Sequence, residues 1–113
     1  DYIKKSFAVH FNFDEISANN GLNLINDENM NIFLSSFKNF ERKDMQSIIT
    51  DKGLDYKQFN KNRKTLRFFN STQWDEGVWK FRIDQEKRCF GNFRNGVFYV
   101  WRIDLDHKLG DLG

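Results

Sequence analysis

The residues of this chain best suited to chemistry are cations spaced along its C-terminal third: Lys80, Arg82, Arg88, Arg94, Arg102 and Lys108, with His107 in the closing string DLDHKLGD. An arginine fork can hold two phosphate oxygens at once. Cations about 5–7 Å apart across neighbouring strands match the charges along a phosphodiester backbone. His107, with an ordinary pKa of about 6.5, could give or take a proton near neutrality. Cys89 is the single cysteine; nearby cations would lower its pKa, but no partner marks it as a nucleophile. Asp84, Asp104 and Asp106 read as strand-end carboxylates that cap turns. One Cys and two well-separated His give no zinc-ligand spacing, and neither a Gly-rich phosphate loop nor a Gly-x-Ser-x-Gly elbow is present. No metal and no small-molecule cofactor is expected.

These cations need strands to position them. From Leu66 the pattern is extended: a short run Leu66–Phe69, a loop Ser71–Gly77, then strands Val78–Asp84, Arg88–Arg94 and Val97–Asp104. Asn95-Gly96 is the strongest hairpin signal, because both residues tolerate the positive φ of a type I′ turn. Upstream, Phe7, Val9, Phe11 and Phe13 alternate with Ala8, His10 and Asn12, which predicts a half-buried strand over 6–13. Met30, Phe33, Leu34, Phe37 and Phe40 follow helical spacing, with Asp27 as N-cap. A second helix spans about 44–52, capped by Asp44 and ended by a left-handed Gly53. Tyr56 and Phe59 predict a further helical turn with a basic outer side.

The hairpins assign faces. A two-residue turn at Asn95-Gly96 pairs Arg94 with Val97, Asn92 with Tyr99, Phe90 with Trp101 and Cys89 with Arg102. An even turn around Gln85-Glu86 pairs Ile83 with Arg88, Arg82 with Cys89, Phe81 with Phe90 and Lys80 with Gly91. Paired residues share a face. One face then gathers Trp79, Phe81, Ile83, Phe90, Tyr99, Trp101 and Ile103 as a core beneath the Phe33/Phe37 helix. The other is an open basic face: Lys80, Arg82 and Arg102 around Cys89, Gly91 and Val100, with Phe93 and Phe98 exposed to stack unpaired bases. An odd turn would bury Lys80 and Arg82, at a cost that needs partners, and the even register is expected.

Composition bounds the rest. The chain has 113 residues, which suits one domain (1–113), and thirteen Phe, three Trp and three Tyr for its core. Net charge is only +2, but it is uneven. Residues 14–31 carry Asp14, Glu15, Asp27 and Glu28 and no base, whereas 57–67 carry Lys57, Lys61, Arg63, Lys64 and Arg67 and no acid. A lone cysteine favours a reducing compartment, and no apolar run reaches the roughly 18 residues of a membrane span. With no signal peptide in sight, a cytoplasmic protein without membrane association is expected.

The strings WKFRID, KRCFGNF, NGVFYVWRID and DHKL, within about residues 66–110, resemble the toxins of the RelE/ParE superfamily. The resemblance implies an α+β fold, a twisted antiparallel sheet of about four to five strands packed against N-terminal helices. It implies a cognate antitoxin as partner and mRNA on the ribosome as substrate, cut by 2′-hydroxyl attack on the adjacent phosphate. By the same resemblance Arg82 and Arg88 would stabilise the phosphate, Lys80 and Arg102 would hold the backbone, and His107, with Tyr99 second, would be the acid or base. Arg94, Lys108, Phe93 and Phe98 complete the nucleic-acid-binding set. The expected function is thus a ribosome-dependent endoribonuclease of a type II toxin–antitoxin system. The alternatives are a non-catalytic nucleic-acid-binding module on the same face, or a protein-interaction domain presenting Phe93 and Phe98.

Overall fold

The computed structural model describes residues 10–13, 16, 21, 23, 25–106, 108–109 and 112–113. Phe7 and Val9 of the predicted first strand, and the candidate acid–base residue His107, lie outside the described residues. The architecture is α+β, with strands β1 (His10–Asn12), β2 (Lys57–Phe59), β3 (Val78–Arg82), β4 (Arg88–Arg94) and β5 (Val97–Asp104). Helices α1 (Met30–Glu41) and α2 (Met45–Thr50) lie between β1 and β2, and a 3₁₀ turn (Leu66–Phe68) and α3 (Ser71–Glu76) lie between β2 and β3. The sheet order is β1-β5-β4-β3-β2. It is mixed rather than antiparallel throughout, because β1 runs parallel to β5.

Helical spacing puts Phe33 and Phe40 of α1 in the core, with Phe37 beside them. Asp27 does not cap α1; Asn29 is the N-cap, and Asn26 and Asn29 exchange side-chain-to-backbone bonds at 2.7 and 3.1 Å. Asp44 does cap α2, accepting from the Ser47 amide at 2.8 Å. Gly53 is not left-handed; the Asp51 carboxylate instead takes the Gly53 and Leu54 amides at 2.7 and 3.1 Å. Residues 57–59 form an edge strand, not a helical turn, and Leu66–Phe68 is 3₁₀, not extended. The expected loop at 71–77 is mostly helix, started by a capping box in which Asn70 and Gln73 bond each other's amides.

Asn95 and Gly96 have φ of 54° and 80°, as the hairpin turn demands. The Arg94–Val97 and Asn92–Tyr99 pairs form as predicted. A register shift at Phe90/Gly91 then leaves Trp101 as the extra residue, so Phe90 faces Arg102 and Cys89 faces Ile103. The 83–87 turn is odd: Arg82 pairs with Arg88, Phe81 with Cys89 and Lys80 with Phe90. The expected faces are therefore exchanged along much of the sheet. Phe81, Cys89, Phe98, Val100 and Ile103 form the core against α1, with Phe93 packed at its margin. Val78, Phe90 and Trp101 occupy the opposite face, covered by Phe59, Phe69 and Leu109, with Trp74 beside them. Each face of the sheet thus carries a hydrophobic cluster, and the expected open basic face is not found among the described residues.

Cys89 is fully buried on the α1 side, not half-exposed among cations, and burial pushes its thiol pKa up. It should stay unmodified when the native protein meets a water-soluble aromatic disulfide, and react stoichiometrically once denatured. Rapid native labelling would contradict this packing.

Candidate nucleic-acid interface

The predicted cations part company on this fold. Lys80 is buried, its Nζ 5.4 Å from the centroid of the Phe59 ring. A cation over an aromatic face recovers part of its desolvation cost, which helps explain why the odd register is tolerated. Arg88 is buried too. Its Nη1 donates to the carbonyls of Asp84 at 2.7 Å, Lys87 at 3.0 Å and Gln85 at 3.3 Å. It closes the 83–87 turn, and loss of solvent holds its pKa below the ordinary guanidinium value. Arg82 is the cross-strand partner of Arg88, and its charge lowers the Arg88 pKa further; it also lies 3.8 Å from the Asp55 carboxylate and borders a hollow of about 600 Å³ lined by Asn31, Ser35 and Asn39. Arg94 lies 3.7 Å over the Tyr99 ring and 3.8 Å from Glu76. Phe98 is fully buried and Phe93 packs on it at 5.1 Å. Neither of these phenylalanines is a free platform for bases. Arg82 and Arg88 are neighbours across β3 and β4, whereas Tyr99, opposite Asn92 and under Arg94, lies apart from them.

Arg102 and Lys108 do meet, in a different place. With Arg67, Phe68, Asp104, Asp106, Leu109 and Leu112 they line a hollow of about 340 Å³. A second hollow of about 500 Å³, lined by Arg63, Lys64, Leu66, Arg67 and Leu112, adjoins it through Arg67 and Leu112. Among the described residues, the groove carries five cations and two carboxylates, beside apolar Leu66, Phe68, Leu109 and Leu112.

Local chemistry fixes this groove. Asn62 Oδ1 accepts from the Lys64 and Thr65 amides at 2.8 and 3.1 Å, and Asn62 Nδ2 donates to the Leu112 carbonyl at 2.8 Å. The fully buried Thr65 donates its hydroxyl to the Asn60 carbonyl and accepts from the Asn62 amide, both at 2.8 Å. Trp74 Nε1 holds the Leu66 carbonyl at 3.0 Å. The basic 60–67 segment is therefore pinned across the back of the sheet and to the chain's closing residues. Arg67 and Arg102 each place their guanidinium carbon 4.9 Å from the Phe68 ring centroid. Burial lowers the Arg102 pKa; Asp104 opposes this and Arg67 adds to it, but an arginine stays charged in any case.

The carboxylates are partly engaged. Asp106 lies 3.5 Å from Lys108 Nζ. Burial raises its pKa, but the Lys108 amide, a hydrogen bond with Asp104 and the Lys108 ammonium together hold it below the usual carboxylate range. Asp104 is nearly buried opposite Arg88 on β4.

The sequence reading missed Arg63, Lys64, Arg67, Leu66 and Phe68 as site residues. Their signal was the acid-free run 57–67; nothing local showed that it returns beside Arg102. Among the described residues, no group of three or more His, Cys, Asp or Glu could hold a metal, and no helix is long and apolar enough to cross a membrane. Comparison with family models, curated proteins and solved structures finds no match.

Proposed function

We propose that this protein binds the phosphodiester backbone of a nucleic acid along the groove from Arg63 to Lys108. The observation that carries this reading is the convergence of Arg63, Lys64, Arg67, Arg102 and Lys108 on two adjoining hollows. Separate elements supply them: the pinned 60–67 segment, β5 and the chain after it. Such a cluster on a chain of net charge +2 concentrates positive potential where a polyanion would enter. The test is anisotropy of a fluorescent 12-nucleotide RNA. Affinity should fall with salt, with a log–log slope of about −2 to −3.5 if three to five phosphates are neutralised. Arg67→Ala with Lys64→Ala should flatten that slope, and Lys52→Ala should leave it unchanged. Salt-insensitive binding, or none, would overturn the reading.

A second reading is the ribosome-dependent mRNA endoribonuclease of a toxin–antitoxin pair. Besides the RelE/ParE resemblance, one observation favours it: the Asp104 and Asp106 carboxylates line the same groove as Arg67 and Arg102. Asp106 could accept the 2′-hydroxyl proton as the 2′-oxygen bonds to phosphorus and the 5′-oxygen leaves, taking its proton from water, while the two guanidiniums face the phosphate. Arg82 and Arg88 would then have no part in cleavage. Growth arrest on expression, relieved by Asp106→Asn together with Arg102→Ala, supports it. Harmless expression and intact mRNA in a translating extract count against it.

A further inference from the structure

We infer that the groove takes single-stranded nucleic acid and that unpaired bases stack at the Arg67–Phe68–Arg102 cluster. This rests on the nucleic-acid reading above and names its substrate class.

The cluster is more than a set of charges. Arg67 and Arg102 both sit 4.9 Å from the Phe68 ring centroid. A guanidinium drawn to a ring by its quadrupole loses part of its freedom before any ligand arrives. Guanidinium planes and aromatic rings are the surfaces on which splayed-out bases stack. Phe68 is only part-buried and Arg67 is exposed, so the cluster is open to a ligand.

The neighbouring surface agrees. Leu66 is 51% exposed in the adjoining hollow, beside Arg67. A duplex presents phosphates outward and keeps its base faces stacked away, so it would leave Leu66 and Phe68 unmatched. Unpaired bases cover such apolar surface while their phosphates meet Arg63, Lys64 and Lys108. Hollows of about 340 and 500 Å³ fall within the range that encloses small molecules, the scale of single nucleotides rather than of a double helix.

The test compares one 12-nucleotide sequence in three forms: single-stranded, annealed to its complement, and with its central bases removed to leave abasic sugars. The intact single strand should bind at least about tenfold more tightly than either other form, since each stacked base contributes at that scale. A 2-aminopurine placed centrally should lose fluorescence on binding wild-type protein. Phe68→Leu should erase the preference and the quenching while keeping the salt slope; the wild-type quenching measurement stands even if that variant folds poorly. Equal binding of all three forms, without quenching, would overturn this inference and leave the backbone-binding reading standing. No binding of any form would overturn both. Parallel RNA and DNA strands identify the sugar preferred.

Discussion

Gly91→Ala is expected to cost the fold about 3 kcal/mol or more, enough to lower the melting temperature by over about 10 °C in a domain this small. Gly91 is in β4 at the register shift, opposite Trp79 and Val100. A Cβ there would overlap the Tyr99 carbonyl oxygen and stand 3.0 Å from the Phe98 ring. The first obstacle is backbone, in the neighbouring strand, and cannot rotate away. The second is a fully buried ring in the core beneath α1. Relief would require parting β4 from β5, which together anchor both hydrophobic clusters. Differential scanning calorimetry checks this; a melting temperature within a degree or two of the parent would contradict the strand pairing.

Arg88→Met should cost roughly 3 kcal/mol and leave nucleic-acid affinity per folded molecule unchanged. The methionine keeps the apolar stem but removes the donors that satisfy three carbonyls of the 83–87 turn. Bonds from a charged donor are worth about 1.5–3 kcal/mol, and leaving the part-buried Asp84 carbonyl without this donor adds to the loss. The nearly buried Asp104 opposite also loses a favourable charge. Urea denaturation and anisotropy separate the two effects. A stable Arg88→Met protein that no longer binds RNA would return Arg88 to the phosphate-handling role implied by the family resemblance.

These two positions also show what could be read from the sequence. The Asn95-Gly96 turn, the α1 periodicity and the Asp44 cap were legible because each is decided by a few adjacent residues. The parity of the 83–87 turn was not. It depends on the Asp84 carboxylate gathering the Glu86 amide, the Lys87 amide and Lys87 Nζ at 2.9, 2.8 and 3.1 Å. Burial works against the Asp84 charge, and those bonds nevertheless hold its pKa below the ordinary value. Rejecting an odd turn because it would bury Lys80 assumed that no compensating surroundings existed; Phe59 comes from a strand read as a helical turn. One wrong parity carried Phe93 and Phe98 from the core to an imagined surface. Helix α3 was misread for a different reason: its polar composition hid it, although the Asn70/Gln73 capping spacing was present in the chain. The parallel β1–β5 pairing joins residues too far apart in sequence for any local signal. Within the site, the cations of 57–67 were visible as a charge run. Their meeting with Arg102 and Lys108 depends on how residues 60–76 return over the back of the sheet.

The central claim is that the Arg63–Lys108 groove, and not another basic surface, receives nucleic acid. Titrating ¹⁵N-labelled protein with single-stranded RNA while following the arginine Nε–Hε resonances tests it most directly. The signals of Arg63, Arg67 and Arg102 should shift together and saturably, while those of Arg42, Arg82, Arg88 and Arg94 hold still. Shifts centred on Arg82 or Arg94, or no shifts at all, would contradict the account.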